Sequence, residues 1–220
     1  SMGENKNKNM INLLELFAGS RSVGKVAEEL EINVFSVDWT NYKDIDLVID
    51  VEKMQTSDVP FIPDIVWASP DCKTYSVSAC YRHRDKTNPK SDYAKKCDSV
   101  NKHFIDLIKQ WQRINPELVF FIENPRGILR KMPFMQGFTR HTVWYCQYGD
   151  DRAKPTDIWT NSKTWVPRKA CFNGNKNCHH QSSPRGSKTG TQGRKGSYEK
   201  SQIPKQLCFE ILNDYKTSKI

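Results

Sequence analysis

Apolar positions fall into short runs and helical stripes that alternate along the first half of the chain. Residues 11–17 (INLLELF) have the length and composition of a buried strand, and Ala18-Gly19-Ser20 turns the chain after it. Val23, Val26, Ala27 and Leu30 then recur at helical spacing, which predicts a helix over residues 21–30. Residues 33–37 predict a second strand ending at Asp38, Leu47 to Ile49 a third ending at Asp50, and residues 64–68 a fourth closed by Ser69-Pro70. Residues 73–92 are polar and basic without periodicity and read as a mobile loop. A helix is expected over residues 93–114, with Val100, Phe104, Leu107, Ile108 and Trp111 on one face and Asn115-Pro116 as its stop. Leu118 to Ile122 predicts a fifth strand that runs straight into Glu123-Asn124-Pro125-Arg126-Gly127. Residues 141–147 and 155–160 read as two more strands, and an amphipathic helix over 203–215 closes the chain. The alternation of strand and helix argues an α/β fold with a doubly wound, mostly parallel sheet.

With 220 residues the chain is long enough for one domain with a full core and a small appendage. Its 34 basic and 25 acidic residues leave a formal charge of +9, which favours an anionic partner, a nucleic acid first. A merely soluble basic protein has the same balance. No apolar run approaches the ~20 residues of a membrane span, so no membrane association is expected. No cationic start followed by an apolar core marks a signal peptide. Ser1-Met2-Gly3 reads as an expression scar at the head of a polar tail over residues 1–10. Seven cysteines without framework spacing suggest reduced thiols and a cytoplasmic or nucleoid setting. From Lys163 to Lys200 there are nine Lys or Arg residues and a single acid, Glu199, which marks a basic insertion ahead of the closing helix.

Ligands of open α/β sheets bind beyond the carboxyl ends of the strands. Cys72 stands there, just past the fourth strand, and a thiolate is a strong nucleophile. A half-buried structural cysteine is the plain alternative. The turn Phe17 to Ser20 opens a helix and can let backbone approach a ligand. Asp38 lies 19 residues after Gly19, where an acid suits ribose hydroxyls, and Asp50 is placed to accept from an adenine amino group. Singly, each acid reads sooner as a cap or a solvated turn residue. In chain order, the three features suggest an adenosine-bearing cofactor. Glu123, at the end of the fifth strand, is a second catalytic candidate, or else the N-terminal acid of a short helix. Pro125 biases Asn124 toward an extended geometry.

FAGSRS at 17–22, SPDCKTYS at 69–76 and ENPRG at 123–127 resemble the ordered signatures of the cytosine-5 DNA methyltransferases; YGDDRAK at 148–154 and SQIP at 201–204 resemble the later ones. The resemblance spans residues 11–160 and 201–215 and is nearest to compact phage and prophage forms. It implies a Rossmann-like S-adenosylmethionine-dependent methyltransferase sheet. In that scheme residues 11–160 are the catalytic domain, 161–200 a small target-recognition insertion, and 201–220 a C-terminal helix completing the domain. The cofactor would be held by Phe17, Ala18, Gly19, Ser20, Asp38, Trp39, Asp50, Val51, Pro70 and Ser201. Cys72 would attack carbon 6 of a cytosine flipped out of double-stranded DNA. Glu123 would act on ring nitrogen 3, and Arg152 would help hold the ring and the glutamate. Keeping a Glu (ordinarily ~4.3) half protonated at pH 7 takes about 4 kcal/mol, whereas sharing a proton as nitrogen 3 becomes basic asks less. A monomer without obligate protein partner, in the cytoplasm of a bacterial or phage-infected cell, is expected. The chain departs from the family at Arg21, where glycine is usual, and at Asp71, where a second proline is usual. Gln-x-Arg-x-Arg is reduced to Arg152-Ala153-Lys154, and Ser201 replaces an asparagine.

DNA contacts are expected from Arg82, Arg84 and Lys86 in the loop after Cys72, suited to phosphates, with a solvated basic loop as the alternative. In the insertion, Arg185, Gln192 and Arg194 suit base edges, and Lys188 and Lys195 suit phosphate; a disordered linker is the alternative. Cys171, Cys178 and His179 offer zinc ligands, with Cys146 or His180 as a further one, against unliganded residues. Three other functions fit the same residues: an amino-methyltransferase acting on an exocyclic nitrogen, a catalytically weak nucleic-acid-binding module, and an enzyme with an RNA acceptor.

Overall fold

The computed structural model describes residues 10–181 and 196–220. Its centre is a seven-stranded sheet. Strands β1 (Asn12–Leu16), β2 (Asn33–Asp38), β3 (Leu47–Val48) and β4 (Ile65–Ala68) precede a long helix, α3 (Asp92–Ile114). Strands β7 (Val119–Pro125), β8 (Arg140–Trp144) and β9 (Pro155–Thr160) follow it. The spatial order is β3-β2-β1-β4-β7-β9-β8. The first five positions are parallel, and β9 and β8 are antiparallel additions at one edge. Chain order reverses between β1 and β4, which makes the carboxyl ends of those two strands the switch point where open α/β sheets bind ligands.

Alternation along each strand divides the core into two layers, because successive side chains point to opposite faces. Leu14, Leu16, Val66, Ala68, Phe120 and Ile122 pack with Phe104, Leu107, Ile108 and Trp111 of α3. Leu13, Ile65, Trp67 and Phe121 face the other way and pack with α1 (Ser22–Glu29) and the C-terminal helix (Lys205–Ser218). Ser91 caps α3, its Oγ accepting from the Ala94 amide at 3.1 Å. Helices on both faces of a mostly parallel sheet give the expected Rossmann-like architecture.

Two expectations are corrected. Strand β7 does not end at Ile122: Glu123 pairs with Ile158 and Asn124 with Asp157 of β9, so the acid lies within the strand. The stretch 73–92 is not an unstructured loop. It contains a 3-10 turn (Lys73–Tyr75), helix α2 (Cys80–His83) and a small hairpin of β5 (Arg84–Asp85) and β6 (Asn88–Pro89). The buried Arg84 side chain ties it to α3 through Asp98, with N–O distances of 2.9 and 2.6 Å.

Candidate active site

At the end of β1 the chain makes the turn expected of a ligand cradle. Gly19 has φ +52, a conformation natural to glycine, and its amide donates to Asp38 Oδ2 at 2.9 Å. Asp38 Oδ1 accepts from the Thr40 amide at 2.9 Å, so each carboxylate oxygen still has a lone pair to offer. Trp39 is 80% exposed beside it, an unusual exposure for an indole and a stacking platform at the sheet's edge. Phe17 packs its ring on Phe104, the Ala18 amide donates to Val37 O, and buried Ser20 meets Ser22 through their hydroxyls. Ser201 is brought to the same turn, its Oγ 3.7 Å from where a Cβ on Gly19 would lie. Val51 is in the core, so only its backbone is available. Asp50 caps the 3-10 turn that follows it: Oδ1 accepts from the Glu52 amide at 3.0 Å and Oδ2 pairs with Lys96 at 2.6 Å.

Arg21 explains why glycine is usual at its position. Its φ is 59 and ψ 41, a left-handed conformation costing a side-chain-bearing residue about 1–2 kcal/mol. The guanidinium offsets that cost by donating to Ser36 Oγ at 2.9 Å and pairing with Glu28. Beneath it Glu15 accepts from the Gly24 amide at 2.8 Å and from Ser36 Oγ at 2.9 Å. Burial pushes the Glu15 carboxyl up to about 7, against those hydrogen bonds and the Arg21 charge.

The second half of the site gathers on β4, β7 and β9. Pro70 is buried, and its carbonyl accepts from Asn124 Nδ2 at 2.9 Å. That bond ties the turn carrying Cys72 to the strand carrying Glu123. Asp71, at the usual proline position, fixes the turn by other means. Its Oδ1 accepts from the Lys73 amide at 2.8 Å, and Tyr93 of α3 donates its hydroxyl to Oδ2. Gly127, past β7, comes so close to the same loop that a Cβ there would lie 2.4 Å from the Tyr75 carbonyl oxygen. Cys72 as a residue is exposed, yet the protein around its thiol desolvates it and pushes its pKa up. Lys154 pulls it back, while Asp71 and Glu123 push it further up.

Glu123 is 6% exposed. Burial raises its pKa, and the Lys154 charge, bonds from Ser69 and Tyr145, and the Arg152 charge oppose that rise. The Tyr145 hydroxyl lies 3.3 Å from Glu123 Oε1. Arg152 is fully buried and forms a two-pronged pair with Asp150, at 2.9 and 2.7 Å, while its Nη2 also donates to Gln202 O at 2.8 Å. Lys154, 7% exposed, is the cation whose charge acts on both Cys72 and Glu123, and burial lowers its own pKa. Ser69 and Asn124 stand within SPDCKTYS and ENPRG, and Lys154 is the remnant of a signature's second arginine, but their contacts with the site are not written in the sequence; Tyr145 carries no mark there at all.

Other candidates fall elsewhere. Arg84 is not available to phosphate: it is 3% exposed, pairs with Asp98, and donates to Thr74 O and Oγ1 at 3.1 Å. Arg82 and Lys86 are exposed. Arg185, Lys188, Gln192, Arg194 and Lys195 lie outside the described residues. Among the thiols and imidazoles, Cys146, Cys171, Cys178 and His180 bring ligand atoms within 4.8 Å of one another. His179 is not in that group; its Nε2 donates to the Asp150 carbonyl at 2.9 Å. The two adjacent imidazoles thus have different partners.

No protein-family model matches the chain. A curated relative, the probable DNA (cytosine-5)-methyltransferase of Frog virus 3 (isolate Goorha), is 28% identical over 222 residues, covering 92% of this chain and 99% of the relative. Among solved structures, the Entamoeba histolytica methyltransferase EhMeth superposes with a TM-score of 0.52 at 16% identity. The match covers 74% of this chain and 58% of that one, and it shows a shared methyltransferase fold. The resemblance read from the signatures and the curated relative thus point to one family.

Proposed function

We propose that this chain transfers a methyl group from S-adenosylmethionine to carbon 5 of cytosine in double-stranded DNA, with Cys72 as the covalent nucleophile. The observation that carries this reading is the bond from Asn124 to the Pro70 carbonyl, which holds the thiol's turn against the strand of a buried glutamate. The exposed Trp39 indole, the Gly19 turn and the free lone pairs of Asp38 suit an adenosine-bearing group at the switch point. When bound, S-adenosylmethionine supplies an electrophilic methyl on a sulfonium.

The residues then act as follows. The Cys72 sulfur bonds to carbon 6 of the ring, and the electron pair displaced makes carbon 5 enamine-like and nucleophilic. Glu123 shares a proton with nitrogen 3 as that atom becomes basic; the raised pKa of its buried carboxyl favours keeping the proton close. Lys154 offers positive charge to the thiolate and the glutamate together, which favours ionised sulfur. After carbon 5 is methylated, a base or water takes its hydrogen as a proton, nitrogen 3 returns the shared proton to Glu123, and the C6–S bond breaks, restoring the aromatic ring and the thiolate. Arg152, held by Asp150 and Gln202, lends charge to Glu123 and positions the loop that carries Lys154.

The target base must leave the duplex to reach Cys72, at a cost of a few kcal/mol. In this reading Arg82 and Lys86 contact phosphates and residues 161–200 read the target. The chain acts as a monomer in the cytoplasm. No helix among the described residues is long and apolar enough to cross a membrane.

Labelled S-adenosylmethionine and DNA, incubated with the native chain or Cys72→Ser and digested to nucleosides, test the reading. Label in 5-methylcytosine that disappears with Cys72→Ser is expected. Label in an N-methylated base that survives the substitution would overturn it. DNA carrying 5-fluorocytosine should form a covalent adduct through Cys72; methyl transfer without any adduct would refute the covalent step.

A further inference from the structure

The segment after β9 has little to hold it in place. Residues 161–181 contain no helix or strand, and Val166 and Phe172 are 81% and 61% exposed. Trp165 is its one large side chain in the main core. The segment nevertheless converges on one point. Cys146, in the 3-10 turn that follows β8, is 2% exposed, and Cys171 is 8% exposed. Cys178 and His180 come in beside them from the far end of the segment, and all four ligand atoms lie within 4.8 Å of one another.

We propose that Cys146, Cys171, Cys178 and His180 form a tetrahedral zinc site that fastens this segment to the catalytic domain. Zinc bonds of about 2.3 Å to sulfur and 2.0–2.1 Å to nitrogen place neighbouring ligand atoms about 3.5–3.8 Å apart in a tetrahedron. Cys171 Sγ and His180 Nδ1 are 3.9 Å apart and no pair of the four exceeds 4.8 Å, so closing on a metal takes contractions of about 1 Å or less. Three sulfurs and an imidazole are a donor set of structural zinc, with every position filled by protein and none left for substrate. Zinc is favoured over a disulfide because three cysteines meet with a histidine, and a disulfide would leave one thiol and the imidazole without a role. A segment with so small an apolar contribution of its own is where a staple adds most.

The position gives the site a consequence for catalysis. His179, between two ligands, donates to the Asp150 carbonyl at 2.9 Å, and the Gln181 amide donates to Asp151 O at 2.8 Å. Cys146 follows Tyr145, which reaches Glu123. The metal therefore steadies the loop from Asp150 to Lys154 that presents charge to Cys72 and Glu123.

The test is metal analysis and cobalt substitution of the whole chain, purified reduced and without a metal-binding tag. Zinc in stoichiometric amount is expected. Replacement by cobalt should give intense tetrahedral d–d absorption with thiolate-to-cobalt charge transfer. Cys171→Ser and His180→Ala should lose or alter that spectrum, whereas His179→Ala should leave it intact. Protein that binds no zinc while its thiols are reduced, a weak octahedral cobalt spectrum, or a disulfide among these cysteines would each overturn the proposal. The spectrum of the native chain decides the matter even where a variant fails to fold. All these readouts are independent of methyl transfer.

Discussion

Asn124 Nδ2 donates to the Pro70 carbonyl oxygen at 2.9 Å, joining the strand that holds Glu123 to the turn that holds Cys72. Both residues are buried, so the bond exchanges with no solvent. It holds the turn of Cys72, the proposed nucleophile, against the strand of Glu123, its proposed acid partner. Asn124→Ala removes the donor and leaves a buried carbonyl unsatisfied, which costs about 1–3 kcal/mol of stability. Misplacement near 1 Å can lower turnover by ~10²-fold. The expected outcome is a large fall in kcat with cofactor affinity nearly unchanged, measured by steady-state kinetics beside equilibrium binding of S-adenosylmethionine. Unchanged kcat would separate this bond from catalysis.

Cys72 and its charged neighbours give a prediction with two opposite signs. Desolvation raises the thiol's pKa, Lys154 lowers it, and Asp71 raises it. Alkylation of Cys72 should therefore still be accelerating at pH values where an ordinary thiol (~8.5) has levelled off. Lys154→Gln removes a favourable cation and should move the profile to higher pH. Asp71→Asn keeps an acceptor for the Lys73 amide, removes a like charge and should move it to lower pH. Rates of iodoacetamide labelling against pH, followed at Cys72 by mass spectrometry, read both shifts. Shifts of the same sign in both variants would show that charge at these positions does not control the thiol.

Glu15 predicts how stability itself depends on pH. Its folded pKa is raised from 4.5 to about 7. Below pH 4.5 the carboxyl is protonated folded and unfolded, and it contributes no pH dependence. Between pH 4.5 and about 7 the unfolded chain releases its proton first, so stability falls as pH rises. Above that window the accumulated loss is about 3 kcal/mol. Glu15→Gln cannot ionise and should flatten this part of the curve. Denaturant unfolding of both chains at several pH values, compared by difference, isolates the effect. A native-minus-variant difference that does not change with pH would mean that Glu15 stays charged in the folded protein.

Strands β1, β4 and β7 were legible because each is built on a run of apolar residues, whereas β3 is only the pair Leu47–Val48. The glycine-like turn at Arg21 was legible only as a departure; its left-handed backbone and the Ser36 and Glu28 bonds that accommodate it are structural facts. Glu123 and Asn124 looked like the residues after a strand because they are polar and precede proline. Their strand character comes from pairing with β9, some 34 positions away, and no local pattern encodes that partner. Lys154 was visible as a reduced signature, but its reach to both Cys72 and Glu123 depends on how β9 lies beside β7. At the thiol–imidazole cluster, composition singled out the stretch, while only the fold separates His180, beside the thiols, from His179, which donates to the Asp150 carbonyl.

Arg84 was misread for the same reason. In the sequence it stands among Arg82, His83 and Lys86 and looks like one of a basic set. In the fold its guanidinium is wholly enclosed, stacks on the Tyr75 ring at 4.4 Å and grips both oxygens of Asp98. Arg84→Ala leaves a buried carboxylate with the Tyr75 hydroxyl but without its cationic partner, a loss of about 3–5 kcal/mol. Arg84→Lys keeps the charge but cannot form the two-pronged pair, so it too should unfold at clearly lower denaturant. A phosphate contact would tolerate lysine. The salt dependence of DNA binding completes the distinction. Arg82→Ala should reduce the slope of log K against log salt by about 0.9, one phosphate contact, while Arg84→Lys should leave it unchanged. A reduced slope in Arg84→Lys with undiminished stability would return Arg84 to the DNA surface.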